Sequence, residues 1–295
     1  MLGFYVELVA IGVATGAIYA IVAIGFNLIF GVMNILNMAH GATMMVGTFG
    51  LLLVFHLGVE NFWLGAAVGI VIAIITGLLV ERLAVRPLKG NWWNTKVATI
   101  GAAFFLENLV TRITEGRPQP FPRPFPTHYY EIVAGIEISN VQIFLAVLSV
   151  GVMLAMVFFL RRTRLGKAVR VVAQSPDIAQ CVGIDVQRIT VIAFALSATL
   201  AGVAGILNAV TFGSTYPFVG QFLGLKGIVV LIVAGIGNMR GCLLIGLALG
   251  ILESMSVGLG GSTYRDFIAY AGMVAILVVK PSGLFGEEGR TAKEI

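Results

Sequence analysis

The sequence predicts an all-α, polytopic transmembrane helix bundle of about eight or nine spans, some short or broken. Three observations predict it. Of 295 residues, 58% are hydrophobic and 11% charged, with mean hydropathy +0.98. A soluble domain carries about 25% charged residues. The apolar residues also fall in runs approaching the roughly 20 needed to cross a hydrocarbon core of about 30 Å. Finally, lysine and arginine gather in alternate connections between those runs, the pattern that fixes membrane orientation. A soluble core cannot hide this much apolar surface, whereas in lipid the outside can be as apolar as the inside.

The runs lie near residues 7–30, 41–57, 62–80, 97–113, 141–160, 189–211, 225–239, 241–257 and 266–280. The run 225–239 is the shortest, and the fourth is interrupted by Glu107 and Asn108. No basic region precedes the first run and no clear cleavage site follows it, so it is expected to stay as a span. Glycine is frequent, at 37 residues, and many lie inside apolar runs, as do Gly12, Gly16, Gly202 and Gly205. Small residues let membrane helices approach closely. Residues 1–295 are read as a single transmembrane domain.

Orientation follows from the basic residues. Arg82, Arg86, Lys89 and Lys96 lie between the third and fourth runs. Arg161, Arg162, Arg164, Lys167, Arg170 and Arg188 lie between the fifth and sixth, Arg240 sits in a tight turn, and Lys280, Arg290 and Lys293 end the chain. Alternating spans place these fourteen of the nineteen basic residues on one side. The positive-inside rule makes that side, and the C-terminus, cytoplasmic. Arg112, Arg117, Arg123, Lys226 and Arg265 fall near the other side. The net charge of +5 therefore fits orientation in a membrane, not binding of nucleic acid.

Two connections are unusual. The linker 31–40, GVMNILNMAH, has no lysine or arginine to hold it in the cytoplasm, and reads as a buried break within the membrane. Residues 114–140 form the longest external loop, with prolines at 118, 120, 122, 124 and 126. That spacing favours extended polyproline conformation. It is either a stiff connector or a docking surface using Phe121, Phe125, Tyr129 and Tyr130.

The cytoplasmic loop 161–188 is too apolar for a loose tether. Leu165, Ala168, Val169 and Val172 share a face at helical spacing. Ser175, Pro176 and Asp177 then start a second, short helix: serine caps, proline suits the first turn, and aspartate suits the positive end of the dipole. This helix, about 176–182, ends near Gly183. Such a segment either lies at the lipid interface or is held by a partner that moves the attached spans.

Other polar residues stand out against their apolar surroundings. Asn34, Asn37 and His40 either satisfy a structural helix break or line a pathway, since irregular backbone at membrane depth occurs where protein or a water-filled cavity surrounds it. Intramembrane ionisable groups point to function by default. Glu107, beside Asn108, either lines a pathway and meets an ammonium group, is protonated, or pairs with Arg112. Glu253 is a weaker candidate of the same kind, and Arg240 is read as a turn residue.

Several classes are excluded. Two cysteines, Cys181 and Cys242, suggest neither a disulfide framework nor a zinc site. The histidines, at 40, 56 and 128, form no catalytic or metal-binding cluster with other residues, so no enzyme, metal or cofactor is expected. No GxxxxGK[ST] phosphate loop is present, so this chain is not itself an ATPase. A secondary transporter driven by an ion gradient would show internal repeats with paired broken helices, and no convincing repeat is seen.

Three stretches resemble one family. Residues 16–47, GAIYAIVAIGFNLIFGVMNILNMAHGATMMVG, carry Asn37-Met38-Ala39-His40-Gly41. Residues 163–185 carry Thr163, Gly166, Ala168, Arg170, Ala173, Ala179, Gly183 and Ile184. Residues 225–254, LKGIVVLIVAGIGNMRGCLLIGLALGILES, are similar to a glycine-rich hairpin of that family. In this order they resemble the LivH-type permease subunits of bacterial ABC importers for branched-chain amino acids, from about residue 10 to 285. Gln174, Ser175, Gln180, Met38 and Ala42 depart from the family's usual residues.

The resemblance implies two permease subunits, two cytoplasmic ATPases and an external substrate-binding protein, in a bacterial inner membrane. The second permease would be a homologous chain or another copy of this one. Ser175, Pro176, Asp177, Ala179 and Gly183 would then couple the pathway to the ATPases. Leucine, isoleucine and valine are the implied substrates, with urea or amides as the alternative within similar permeases.

Overall fold

A computed structural model describes residues 2–88, 90–133, 136–260 and 265–286. Lys89, Arg290 and Lys293, used above for orientation, lie outside them. The chain is helical nearly throughout. Its helices are α1 (Leu2–Met33), α2 (His40–His56), α3 (Phe62–Val80), α4 (Trp92–Thr114), α5 (Asn140–Arg162), α6 (Arg164–Gln174), α7 (Pro176–Cys181), α8 (Val186–Phe212), α9 (Val219–Ala234), α10 (Met239–Gly260) and α11 (Arg265–Val279). Two short antiparallel ladders accompany them: β1 (Gln119–Pro120) with β4 (Ser214–Thr215), and β2 (Tyr129–Val133) with β3 (Ile136–Ser139).

Each of the nine apolar runs contains a helix. Among the described residues, six helices are long and apolar enough to cross a membrane, and α2 and α9 are shorter apolar helices. The boundaries moved where caps overrode hydropathy. α4 begins at Trp92 because the Asn91 side chain accepts a hydrogen bond from Asn94 N. The run 225–239 overshoots α9, because Gly235 and Gly237 adopt φ of +90° and +91° and turn the chain into α10. It also misses Val219–Gly224, the first turns of α9.

Contacts divide the chain into two compact units. Unit 1 comprises residues 1–24, 125–157 and 226–295, and unit 2 residues 25–124 and 158–225.

In unit 1, α1 and α10 meet through glycines. A Cβ added at Gly250 would sit 2.3 Å from Gly16 Cα, and one at Gly246 2.7 Å from Ala20 Cβ. Lipid offers no hydrophobic drive between helices, so backbone proximity supplies the packing. The α9–α10 turn is held by Asn238, whose Oδ1 accepts from Gly241 N at 2.9 Å and whose Nδ2 donates to Phe285 O at 3.0 Å. In the 114–140 loop, Phe125 packs on Phe144 with centroids 5.2 Å apart.

Unit 2 is built on α2, α3 and α8. Gly47, Gly69, Ala73 and Gly202 form their crossing; a Cβ at Gly69 would lie 2.4 Å from Gly47 O. Beyond α3 the chain widens into a π-helical turn, Glu81–Val85, and then tightens into a 3-10 turn, Arg86–Leu88. Pro87 accounts for the change, since it has no N–H to continue the α-helical ladder. Phe121 of the proline-rich loop is buried and its N–H bonds Gly213 O at 3.0 Å, so it anchors the loop instead of presenting a contact. Tyr130 is exposed, and the Tyr129 side chain lies outside what the structure describes.

Candidate coupling and translocation sites

The connection from α5 to α8 is a chain of caps. Thr163 Oγ1 accepts from Gly166 N at 3.0 Å and starts α6. Gly166 fits because a Cβ there would lie 2.5 Å from the Leu160 backbone. α6 buries Gly166, Val169 and Val172, a stripe displaced from the expected one, and leaves Leu165 exposed.

Ser175 ends α6, and its Oγ accepts from Ile178 N at 3.3 Å to start α7. Pro176 and Asp177 occupy the first turn. At the other end Gly183 adopts φ +80°, donating to Gln180 O at 3.0 Å, while Ile184 N reaches Ala179 O at 2.9 Å. Ala179 is fully buried, whereas Ile178 and Val182 are 63% and 66% exposed. α7 thus roots itself by one face and presents two apolar side chains on the other. Beside it lies an open groove of about 490 Å³, lined by Gln180, Gly183, Ile184 and Asp185 among others.

Asp185 caps α8 by accepting from Arg188 N at 3.1 Å. Two residues on, Gln187 Nε2 donates to the buried Glu81 carboxylate at 3.1 Å. α7 thus leads straight into α8, which meets α3 through this hydrogen bond as well as through the Gly202–Ala73 crossing.

The break between α1 and α2 spans residues 34–39. Asn34 ends α1 in the left-handed region, φ +56°, and is exposed. Asparagine tolerates this helix-ending position better than other non-glycine residues. Asn37 is buried, and its Oδ1 accepts from Ala39 N at 3.1 Å.

His40, the first residue of α2, is also buried. Ser197 Oγ donates to Gly25 O at 2.9 Å and lies 3.1 Å from His40 Nδ1. With its one proton given to Gly25, Ser197 accepts from His40, which places the imidazole proton on Nδ1. Phe26 packs edge-on against the ring at 4.5 Å. Gly25 leaves room for it, since a Cβ there would come within 2.6 Å of the ring.

Glu107 and Asn108 separate. Asn108 is exposed and its Nδ2 donates to Phe104 O in its own helix at 2.7 Å. Glu107 is buried, and its Oε2 accepts from Gln221 Nε2 of α9 at 2.6 Å. Gln221, not Arg112, is its partner. The α2 and α9 N-termini also touch here, and a Cβ at Gly220 would lie 2.1 Å from Gly41 O.

Unit 1 holds a denser cluster. Glu253 of α10 is wholly buried. Lys226 Nζ lies 2.9 Å from its Oε1 and 3.0 Å from its Oε2. Arg265 Nε reaches Oε2 at 2.8 Å, and Tyr19 donates its hydroxyl hydrogen to Oε2 at 2.8 Å. The Tyr19 oxygen in turn accepts from Arg265 at 2.8 Å and from Lys226 at 3.3 Å. Asp266 completes the set, 3.0 Å from Lys226.

This cluster was not legible beforehand. By sequence, Lys226 and Arg265 read as orientation markers and Glu253 as a weaker pathway candidate, and nothing singles out Tyr19. The signal available was the coexistence of a lysine and a glutamate inside apolar helices. Gln221 was missed because the run was started four residues after it.

The chain matches the family model for the branched-chain amino acid transport system permease component over residues 8–277. It is 32% identical over 93% of both chains to the high-affinity branched-chain amino acid transport system permease protein LivH of Escherichia coli K12. It is 29% identical over 96% of both chains to BraD, a permease protein of the same description from Pseudomonas aeruginosa. Its fold is shared with a chain of PsaBC from Streptococcus pneumoniae, solved in complex with Fab, at a TM-score of 0.53 and 12% identity over 96% of this chain and 97% of that one.

Proposed function

This chain belongs to the family of branched-chain amino acid transport permease components, and from that membership we propose that it forms the translocation pathway for leucine, isoleucine and valine in an ATP-driven importer. It is a multi-pass membrane protein. Its partners are two ATPase subunits, a second permease subunit and a substrate-binding protein on the outer face. The basic connections and the C-terminus face the cytoplasm.

The observation that carries the mechanism is α7. A surface element exposing Ile178 and Val182, rooted through buried Ala179 and capped by Ser175, suits an ATPase surface. Closure of the ATPase pair on ATP presses α7 and, through Asp185, α8. Gln187 passes part of that displacement to Glu81 at the end of α3. The ATP-bound and nucleotide-free ATPases stabilise different arrangements of the spans, which is what any ligand-driven switch requires.

Replacing Ala179 with Glu puts a charge into a fully buried position and should dislodge α7. Branched-chain amino acid uptake should fall at least 10-fold while ATP hydrolysis by the assembled complex persists. Uptake at the wild-type rate, with Ala179→Glu in the membrane, would remove α7 from the mechanism. Uptake of urea or amides in preference to leucine would change the substrate and leave the mechanism intact.

A further inference from the structure

Glu107 is a buried acid that no cation among the described residues answers. Its carboxylate is buried, and among the described residues its one hydrogen-bond partner is the neutral Gln221 amide, 2.6 Å away. No cation among the described residues pairs with it. An isolated buried carboxylate is costly by several kcal/mol, so the site gains most from a ligand that brings a positive charge.

The surroundings define what else that ligand carries. One turn along α4, Val110 packs with Met45 of α2 and Val219 of α9 in one apolar cluster, against which Leu106 and Tyr216 lie. Gln221 is exposed, so the polar end of this cluster reaches the surface of unit 2. Val110, Met45 and Val219 are buried against one another, so the apolar surface left to a ligand is that of the partly buried Leu106, Phe49 and Tyr216 at their edge; such an apolar wall with one convergent polar point suits a small-molecule site. A cation alone would leave the wall unused, and an apolar ligand alone would leave the carboxylate unanswered. An α-amino acid with a branched side chain meets both.

We propose that Glu107 and Gln221 form the station that recognises the substrate's α-ammonium group, Glu107 as its counter-charge and Gln221 as the amide that orients the carboxylate. This rests on the transport reading above and assigns the recognition to one pair of residues. The pair discriminates against 2-hydroxy and 2-keto acids of the same side chain, which lack the cation. Truncating a partner that a buried polar site needs is where strong discrimination arises.

The test uses the full chain in membrane vesicles. Cys181, which is exposed, is replaced by Ser; Cys242 is buried and stays. In this background Gln221→Cys is modified by the cationic methanethiosulfonate ethylammonium and by the anionic ethylsulfonate. Because the thiolate itself favours a cation, each rate is taken relative to that of the same reagent with free 2-mercaptoethanol; with Glu107 present the cationic reagent should then lead by about 10-fold, the difference that a unit charge roughly 6 Å away makes between a +1 and a −1 reagent in watery surroundings. Leucine should slow the reaction and 2-hydroxyisocaproate should not.

In Glu107→Gln the preference should fall to near parity. Equal rates for the two reagents with Glu107 present, or a preference unchanged in Glu107→Gln, would overturn the assignment. If Glu107→Gln does not insert, the preference and the leucine protection in the Glu107 background decide alone. ATP-dependent leucine uptake by the wild-type complex is measured alongside. Its presence with no charge preference sinks the station only, and its absence sinks the transport reading instead.

Discussion

Glu253 and Glu107 are both buried carboxylates in membrane helices, and their surroundings are opposites. Glu253, in unit 1, meets Lys226, Arg265 and the Tyr19 hydroxyl, with Asp266 balancing Lys226. Two acids answer two bases, and the phenol fills the remaining directions. Glu107, in unit 2, meets one neutral amide. The difference separates two uses of charge in a membrane. A closed cluster joins α1, α9, α10 and α11 in one register, where apolar packing alone would let them slide. A carboxylate without a counter-charge holds nothing together, and remains free to engage something that passes.

The largest effect expected from this contrast is at Glu253. Glu253→Gln leaves Lys226 and Arg265 with Asp266 as their one described acid, and one neutral amide oxygen where a carboxylate had served Tyr19, Lys226 and Arg265. Removing one partner of a buried pair costs about 3–5 kcal/mol. The purified variant should lose much of its thermal stability in detergent, or fail to accumulate. Replacing Lys226 with Met in the same molecule should return part of the loss, since one cation and one acid then remain, Arg265 and Asp266. A double variant no better than Glu253→Gln would show that Lys226 is held there for another purpose.

A smaller loss is expected where unit 1 relies on proximity alone. Gly250→Leu drives a side chain into the Gly16 backbone, already within 2.3 Å of an added Cβ. Overpacking of this kind costs about 1–3 kcal/mol. Helix α10 should move off α1, and a thermal midpoint shift well below that of Glu253→Gln should follow. A shift as large as that of Glu253→Gln would mean that the glycine contact sets the position of the ion cluster, and not the reverse.

How far the sequence reaches follows the same division. Hydropathy places a helix in every run, because a span needs only length and apolar composition. The caps of the 161–188 loop are also readable, since Ser175-Pro176-Asp177 and Gly183 act on their own neighbours. The break at 34–39 announces itself by an unsupported linker and two asparagines. What fails is pairing between distant residues. Tyr19, Lys226, Glu253 and Arg265 are scattered over four helices, and no local pattern brings them together. Arg112 was the natural partner for Glu107 by sequence distance. The structure supplies Gln221, 114 residues away, because α9 begins earlier than its hydropathy shows.

The smallest expected effect on stability is at Glu107, and it is the one that most sharpens the contrast. Glu107→Gln keeps the volume and keeps an acceptor for Gln221 Nε2, while removing a buried charge that has no counter-ion. The change in folded-state stability should be within about 1 kcal/mol, with either sign, so the midpoint in detergent should move by no more than a few degrees. A structural carboxylate cannot behave so, because its loss would expose partners that depend on it. Leucine uptake should fall in the same variant by at least 10-fold, with the ATPases still bound. Severe instability of Glu107→Gln, with neither charge preference nor leucine protection at Gln221→Cys, would place Glu107 beside Glu253 as an adhesive residue. An intact, stable variant that no longer transports would leave charge recognition as the reason for an unpaired acid in α4.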